Sequence, residues 1–155
     1  MESILIGGAQ SVGKTTIIYR LASRLLNNGF SYDKNSPHLT APYDDFMIVL
    51  EGNDKSGKFI RIIINSATDT VDIIQLFKDF YDKHGSYDIL ISSVRDKGHW
   101  PRKEFFNIMK LNQNVLEIPL GKVTRRKNKG TAKQWYLDTM DTLIDTILGK
   151  SPYNI

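Results

Sequence analysis

Eight consecutive residues, Gly8-Ala9-Gln10-Ser11-Val12-Gly13-Lys14-Thr15, combine the residue types that hold phosphate. They fit the pattern G-x-x-x-x-G-K-[ST] without a mismatch. The two glycines let the backbone curl until successive N–H groups converge on phosphate oxygens. A helix that starts at this point adds the positive end of its dipole. Lys14 brings a mobile positive charge to the β- and γ-phosphates, and the Thr15 hydroxyl is placed to ligate Mg²⁺. Thr16 continues the row of backbone donors. The chemistry these types support is the binding of a nucleoside triphosphate, ATP or GTP, with Mg²⁺.

Other polar residues bear on the chemistry after binding. Asp44 and Asp45 form a carboxylate pair able to support Mg²⁺ or to activate a substrate hydroxyl. Arg95 and Asp96 come directly after a buried apolar run, and Arg102 comes soon after. Lys122, Arg125, Arg126, Lys127, Lys129 and Lys133 form a basic stretch with no acid in it. His38, His84 and His99 lie in separate loops without metal-ligand spacing, and Ser92 and Ser93 have no local base.

The elements that must position these residues alternate between strand and helix. Ser3–Gly7 is a short apolar run, predicted as a buried strand. Ile17, Ile18, Leu21, Ala22, Leu25 and Leu26 recur at helical spacing, and Asn27-Asn28-Gly29 ends that helix. Residues 30–45, with Pro37 and Pro42, read as a loop. Phe46–Leu50 and Phe59–Ile64 flank Gly-Asn-Asp-Lys-Ser-Gly, which predicts an antiparallel hairpin. A second helix is expected over Val71–Lys83, a buried strand at Ile89–Ile91, and a third helix opened by Pro101. Val115–Ile118 is the last strand. The spacing Thr131-Ala-Lys-Gln134 predicts the cap of a final helix that Gly149 ends. The expectation is a single domain over residues 1–155. Its fold class is α/β, three-layered, with a mostly parallel five-stranded sheet and one antiparallel edge strand.

Composition agrees with that class. The chain has 155 residues, 41% of them hydrophobic and 25% charged, which are ordinary values for a folded domain. It contains no cysteine, so disulfides, thiolate nucleophiles and cysteine-held zinc are excluded. No apolar run approaches the ~20 residues of a membrane helix. Glu2 stands where a signal peptide carries a basic start, so a cytoplasmic protein without a membrane partner is expected. The formal charge is +4, yet residues 122–133 contribute six positive charges, which leaves the rest at −2. A basic surface confined to one stretch suits a protein partner or an acidic ligand better than nucleic acid, which prefers a broad basic footprint.

With its phosphate motif set between a buried strand and an amphipathic helix, the chain resembles the P-loop NTPase superfamily. The resemblance is motif-specific over residues 3–28 and topological beyond. The hairpin after the first helix, leading to a strand beside the phosphate loop, is similar to the small GTPase layout. That likeness implies that Thr40, in His38-Leu39-Thr40, meets Mg²⁺ as a switch threonine does. It sets Asn65-Ser66-Ala67-Thr68 at the position of D-x-x-G and gives Asp69 the place of the water-orienting residue. The chain departs from that family in three places. Asn65 replaces the acid, Thr68 replaces the glycine, and Gly121-Lys122-Val123-Thr124 stands where guanine is read by N-K-x-D. The resemblance therefore implies an NTPase with slow or partner-dependent hydrolysis, Lys14, Asp69 and Arg95 carrying the catalytic work. A second reading is a small-molecule or nucleotide kinase that uses Arg95 and a basic lid bearing Arg125 and Arg126. A third is a nucleotide-gated binding module, with Trp100, Trp135 and Tyr136 offered to nucleic-acid bases.

Overall fold

A computed structural model describes residues 1–111, 114–124 and 129–155 of the chain. The elements run in the order β1 (Glu2–Gly8), α1 (Lys14–Asn27), β2 (Ser31–Tyr32), β3 (Met47–Asn53), β4 (Phe59–Asn65), α2 (Val71–His84), β5 (Ile89–Arg95), α3 (Trp100–Met109), β6 (Val115–Pro119) and α4 (Lys129–Leu148). The strands form one mixed sheet in the order β2-β3-β4-β5-β1-β6. β4, β5, β1 and β6 pair in parallel, while β3 runs antiparallel to both β2 and β4.

Strand alternation explains the layers. Side chains along a strand point to opposite faces with period two. Ile4, Ile6, Ile48, Ile62 and Ile64 join one buried cluster with Ile17, Leu21, Leu137 and Ile144 of α1 and α4. Their neighbours Leu5, Val49, Ile63 and Leu90 join another with Phe77 of α2 and Phe105 of α3. The sheet is thus covered on both faces, with α1 and α4 on one side and α2 and α3 on the other. Phe77 and Phe105 are fully buried and stack with ring centres 6.4 Å apart. Burying each is worth about 2–3 kcal/mol.

Local signals set the ends of the helices. The Thr70 hydroxyl accepts from the Ile73 amide at the start of α2, and Gly85 follows its end at φ +89°. Pro101 sits in the first turn of α3. Arg24 reaches from α1 to Asp141 and Asp145 of α4, each at 2.8 Å, and Arg20 pairs with Asp138 and Asp141. This clamp holds α4 alongside α1.

Three expectations are corrected. The sheet has six strands instead of five, because Ser31–Tyr32, inside the expected loop, pairs with Leu50 and Glu51. Two residues are too short to show any period. The antiparallel strand β3 is consequently not the edge, since β2 covers it. The strand returning from the hairpin, β4, does not lie beside β1: it pairs with β5, and β5 occupies the place next to β1. A smaller difference lies at α4, which starts at Lys129, so Thr131 is inside its first turn and does not cap it. Among the described residues no helix is long and apolar enough to cross a membrane.

Candidate phosphate-binding site

The carboxyl ends of β4, β5, β1 and β6 share one rim of the sheet, where loops in parallel α/β sheets form ligand crevices. β1 ends in Gly7-Gly8, and the loop then turns sharply into α1. Gly8 has φ +149°, Ser11 +62° and Gly13 +102°. Gly13 caps α1 without a side chain, and its carbonyl accepts the first helical hydrogen bond from the Ile17 amide at 3.0 Å. The amides of the first turn therefore have no side-chain cap. Four such amides are left over at any helix start, and here they face the loop with the dipole behind them. The fit is also close before the loop: a Cβ on Gly7 would lie 2.4 Å from Glu117 Oε1, so the Glu117 carboxylate, which Arg102 holds, would have to shift.

Lys14 folds back into the loop. Its ammonium donates to the Gly8 carbonyl at 2.9 Å and the Ala9 carbonyl at 2.8 Å, and the residue is only 8% exposed. Burial pushes its pKa below the usual lysine value; Asp69 opposes that shift and Arg95 adds to it. A buried cation whose hydrogen bonds go to two neutral carbonyls is a group that an anion would stabilise.

Beside the lysine, three oxygens converge. The Thr15 hydroxyl lies 3.4 Å from Asp45 Oδ1 and 3.5 Å from the Ser66 carbonyl. A hydroxyl, a carboxylate and a carbonyl are the hard donors Mg²⁺ takes, and it commonly binds through one or two carboxylates together with phosphate oxygens. Among the described residues no group of three or more His, Cys, Asp and Glu side chains gathers as a metal cage. The donor set thus fits a metal shared with bound phosphates.

Gln10, Ser11, Gly13, Lys14, Thr15, Thr16 and Asp69 line one cavity of about 310 Å³. Tyr43, Ser66 and Lys133 complete it, and no motif or period in the sequence pointed to Tyr43. Gly8, Ala9 and Val12 line a second recess on the far side of the loop, together with Lys97 and Lys122. Arg95 lies at the rim but is engaged, its guanidinium holding Asp69 at 3.0 Å. Arg102 is likewise taken by Glu117, through two hydrogen bonds of 2.8 and 2.6 Å. Thr40, expected at the metal, instead lines a neighbouring cavity between the 33–46 loop and α2. Asp45, one of the two candidate carboxylates, is the residue brought to Thr15. Arg125 and Arg126 lie outside the described residues.

Asn65 and Thr68, the positions where the small GTPase motif would place its acid and glycine, are tied into the sheet. The Asn65 amide donates to the Ala67 carbonyl at 2.8 Å and to Ser92 Oγ at 3.0 Å. The Thr68 hydroxyl donates to the Ser93 carbonyl at 3.3 Å. Ser92 and Ser93 are thereby buried staples between the ends of β4 and β5. Both tryptophans, by contrast, are exposed, Trp100 at 60% and Trp135 at 68%. Comparisons of the chain with protein-family models, with curated proteins and with solved structures found no match.

Proposed function

We propose that this chain is a P-loop protein that binds the Mg²⁺ complex of a nucleoside triphosphate, ATP or GTP, through Gly8–Thr16. The observation that carries the reading is the pairing of an uncapped helix start, with Gly13 at φ +102°, and the buried ammonium of Lys14 inside the same loop. Backbone amides and the helix dipole would take the β-phosphate, and Lys14 would leave its two carbonyls for phosphate oxygens. Thr15 and Asp45, with the Ser66 carbonyl, would hold Mg²⁺. Bound there, the metal would neutralise charge on the β- and γ-phosphates.

Slow hydrolysis, or hydrolysis that waits for a partner, is what the neighbouring side chains favour. Asn65 and Thr68 spend their hydrogen bonds on β5 and the strand end, so neither is free to orient a water, and Asp69 has one carboxylate oxygen held by Arg95. Lys133 at the phosphate cavity favours a second reading, a phosphotransferase whose basic residues 122–133 help to neutralise the transferring group. The same basic residues are where a protein partner or an acidic ligand would dock.

Calorimetric titration of ATP and GTP with Mg²⁺ into the wild type and Lys14→Ala tests the proposal. Saturable binding of one nucleotide, abolished in the variant, is the expected result. Equal binding by both proteins, or no binding by the wild type, would overturn it.

A further inference from the structure

We infer that the cavity on the α2 side of Asp45 binds a second substrate, a hydroxylated aromatic molecule of nucleoside size that accepts the terminal phosphoryl group. The inference rests on the triphosphate reading and supplies its acceptor.

The cavity measures about 350 Å³, within the range of small-molecule sites. Its walls are apolar, with Phe46 from the end of the 33–46 loop, Met47 from the start of β3, and Ile73, Leu76 and Phe80 from α2. Polar groups are few: His38, Thr40 and Asp45 from the loop, and Asn65 at the end of β4. This is the pattern of a site that buries a flat apolar body and orients it by one polar end. The loop is braced, because His38 stacks on Tyr32 at 4.0 Å and the Tyr32 hydroxyl accepts from the Leu39 amide at 3.1 Å. Leu76, 59% exposed, stands at the mouth.

What makes this cavity an acceptor site is its junction with the phosphate site. Asp45 belongs to both, lining the cavity while its Oδ1 lies 3.4 Å from Thr15 Oγ1. Asn65 and Ala67 line the cavity, and Ser66 between them turns its carbonyl to Thr15 at 3.5 Å. Successive residues at the end of β4 therefore face the two sites in turn. A molecule in the cavity, with its hydroxyl toward Asp45, meets the terminal phosphate held by the loop. The hydroxyl oxygen forms a bond to the γ-phosphorus as the bond from that phosphorus to the β–γ bridging oxygen breaks. Nucleoside diphosphate leaves with the bridging oxygen. The hydroxyl proton passes to an oxygen of the transferred group and from there to water.

The test uses the full chain with γ-labelled ATP and GTP, Mg²⁺, and a panel of adenosine, guanosine, cytidine, uridine, thymidine and 2-phenylethanol. One member should become labelled in step with diphosphate release, at a rate at least about tenfold above that without acceptor. Leu76→Trp, a surface change that fills the mouth, should remove that stimulation and leave triphosphate affinity within about twofold. Ile73→Trp provides a second filling variant, and circular dichroism checks that both fold. Bound triphosphate with no labelling of any panel member would sink the acceptor site and leave the phosphate site standing. Undiminished transfer in both folded variants would do the same. If no triphosphate binds at all, both proposals fall together.

Discussion

The carboxyl ends of β1 and β4 lie in one sheet with β5 between them, and they finish in opposite ways. At the end of β1 the backbone adopts positive φ at Gly8, Ser11 and Gly13, the helix start has no side-chain cap, and a lysine is buried among carbonyls. At the end of β4 the Asn65 amide, the Ser66 hydroxyl and the Thr68 hydroxyl all have partners within the sheet and its flanking residues. The first end leaves helix-start amides without a side-chain cap and a charge held by neutral carbonyls. The second spends its polar groups on holding two strand ends together. Asparagine at 65 suits that division. Its amide supplies two hydrogen bonds that an ionised aspartate has no protons to make.

That contrast can be broken from either side. The largest effect is expected at Lys14. Lys14→Met removes charge-assisted bonds to phosphate and should lower triphosphate affinity by a hundredfold or more, about 3 kcal/mol. The same change removes a buried charge, so the nucleotide-free protein should melt no lower than the wild type. Calorimetry and thermal melts read the two quantities separately. Asn65→Asp should do the reverse. With Asn65 only 1% exposed, losing both donors should cost about 2–4 kcal/mol of stability. Triphosphate affinity of the folded fraction should not change, and hydrolysis should not appear. An Asn65→Asp protein that is stable and hydrolyses faster would show that the end of β4 is a damaged metal site. Gly13→Ala falls between. At φ +102° a Cβ should cost about 1–2 kcal/mol, seen as a drop of several degrees in melting temperature. Among the described residues the added atom would touch only Leu137, at 3.4 Å, so strain in the loop and not a clash would be the cause.

The strand–loop–helix turn at Gly8–Thr15 was legible because its requirements are local. Gly8, Gly13, Lys14 and Thr15 lie within eight residues, and the flanking strand and helix announce themselves by period. The helices were legible for the same reason, down to Pro101 at the start of α3 and Gly85 after α2. Strand neighbours were not. The apolar runs of β4 and β5 have the same period, so nothing in either states which of them lies beside β1. Which residue of the 33–46 loop comes to Thr15 was also hidden, because that loop has no periodicity to tell Thr40 from Asp45. The Ser66 carbonyl carries no signal at all, since every residue has one. Arg102 looked free for phosphate in the sequence, but Glu117, fifteen positions along and on another element, holds it.

The smallest effect concerns pH, and it separates a lysine kept for a ligand from one kept for the fold. Burial sets the folded-state pKa of Lys14 below the value of 10.5 it has in the unfolded chain. Below both values the lysine is charged in both states, and the folded protein bears the full cost of burying the charge. Between the two values the unfolded chain holds more protons, so stability rises with pH, and above 10.5 neither state is charged. The stability difference between Lys14→Met and the wild type, both free of nucleotide, should therefore shrink as pH climbs toward 10.5. Tyr81 and Tyr87, whose buried phenols are pushed up, titrate in both proteins and cancel in that difference. Urea melts of the two proteins at steps from about pH 8 upward measure it. Saturating triphosphate in the wild type should remove the slope, because phosphate oxygens stabilise the ammonium and raise its pKa again. A slope that persists with nucleotide bound would mean that Lys14 stays on the Gly8 and Ala9 carbonyls, serving the loop and not the ligand.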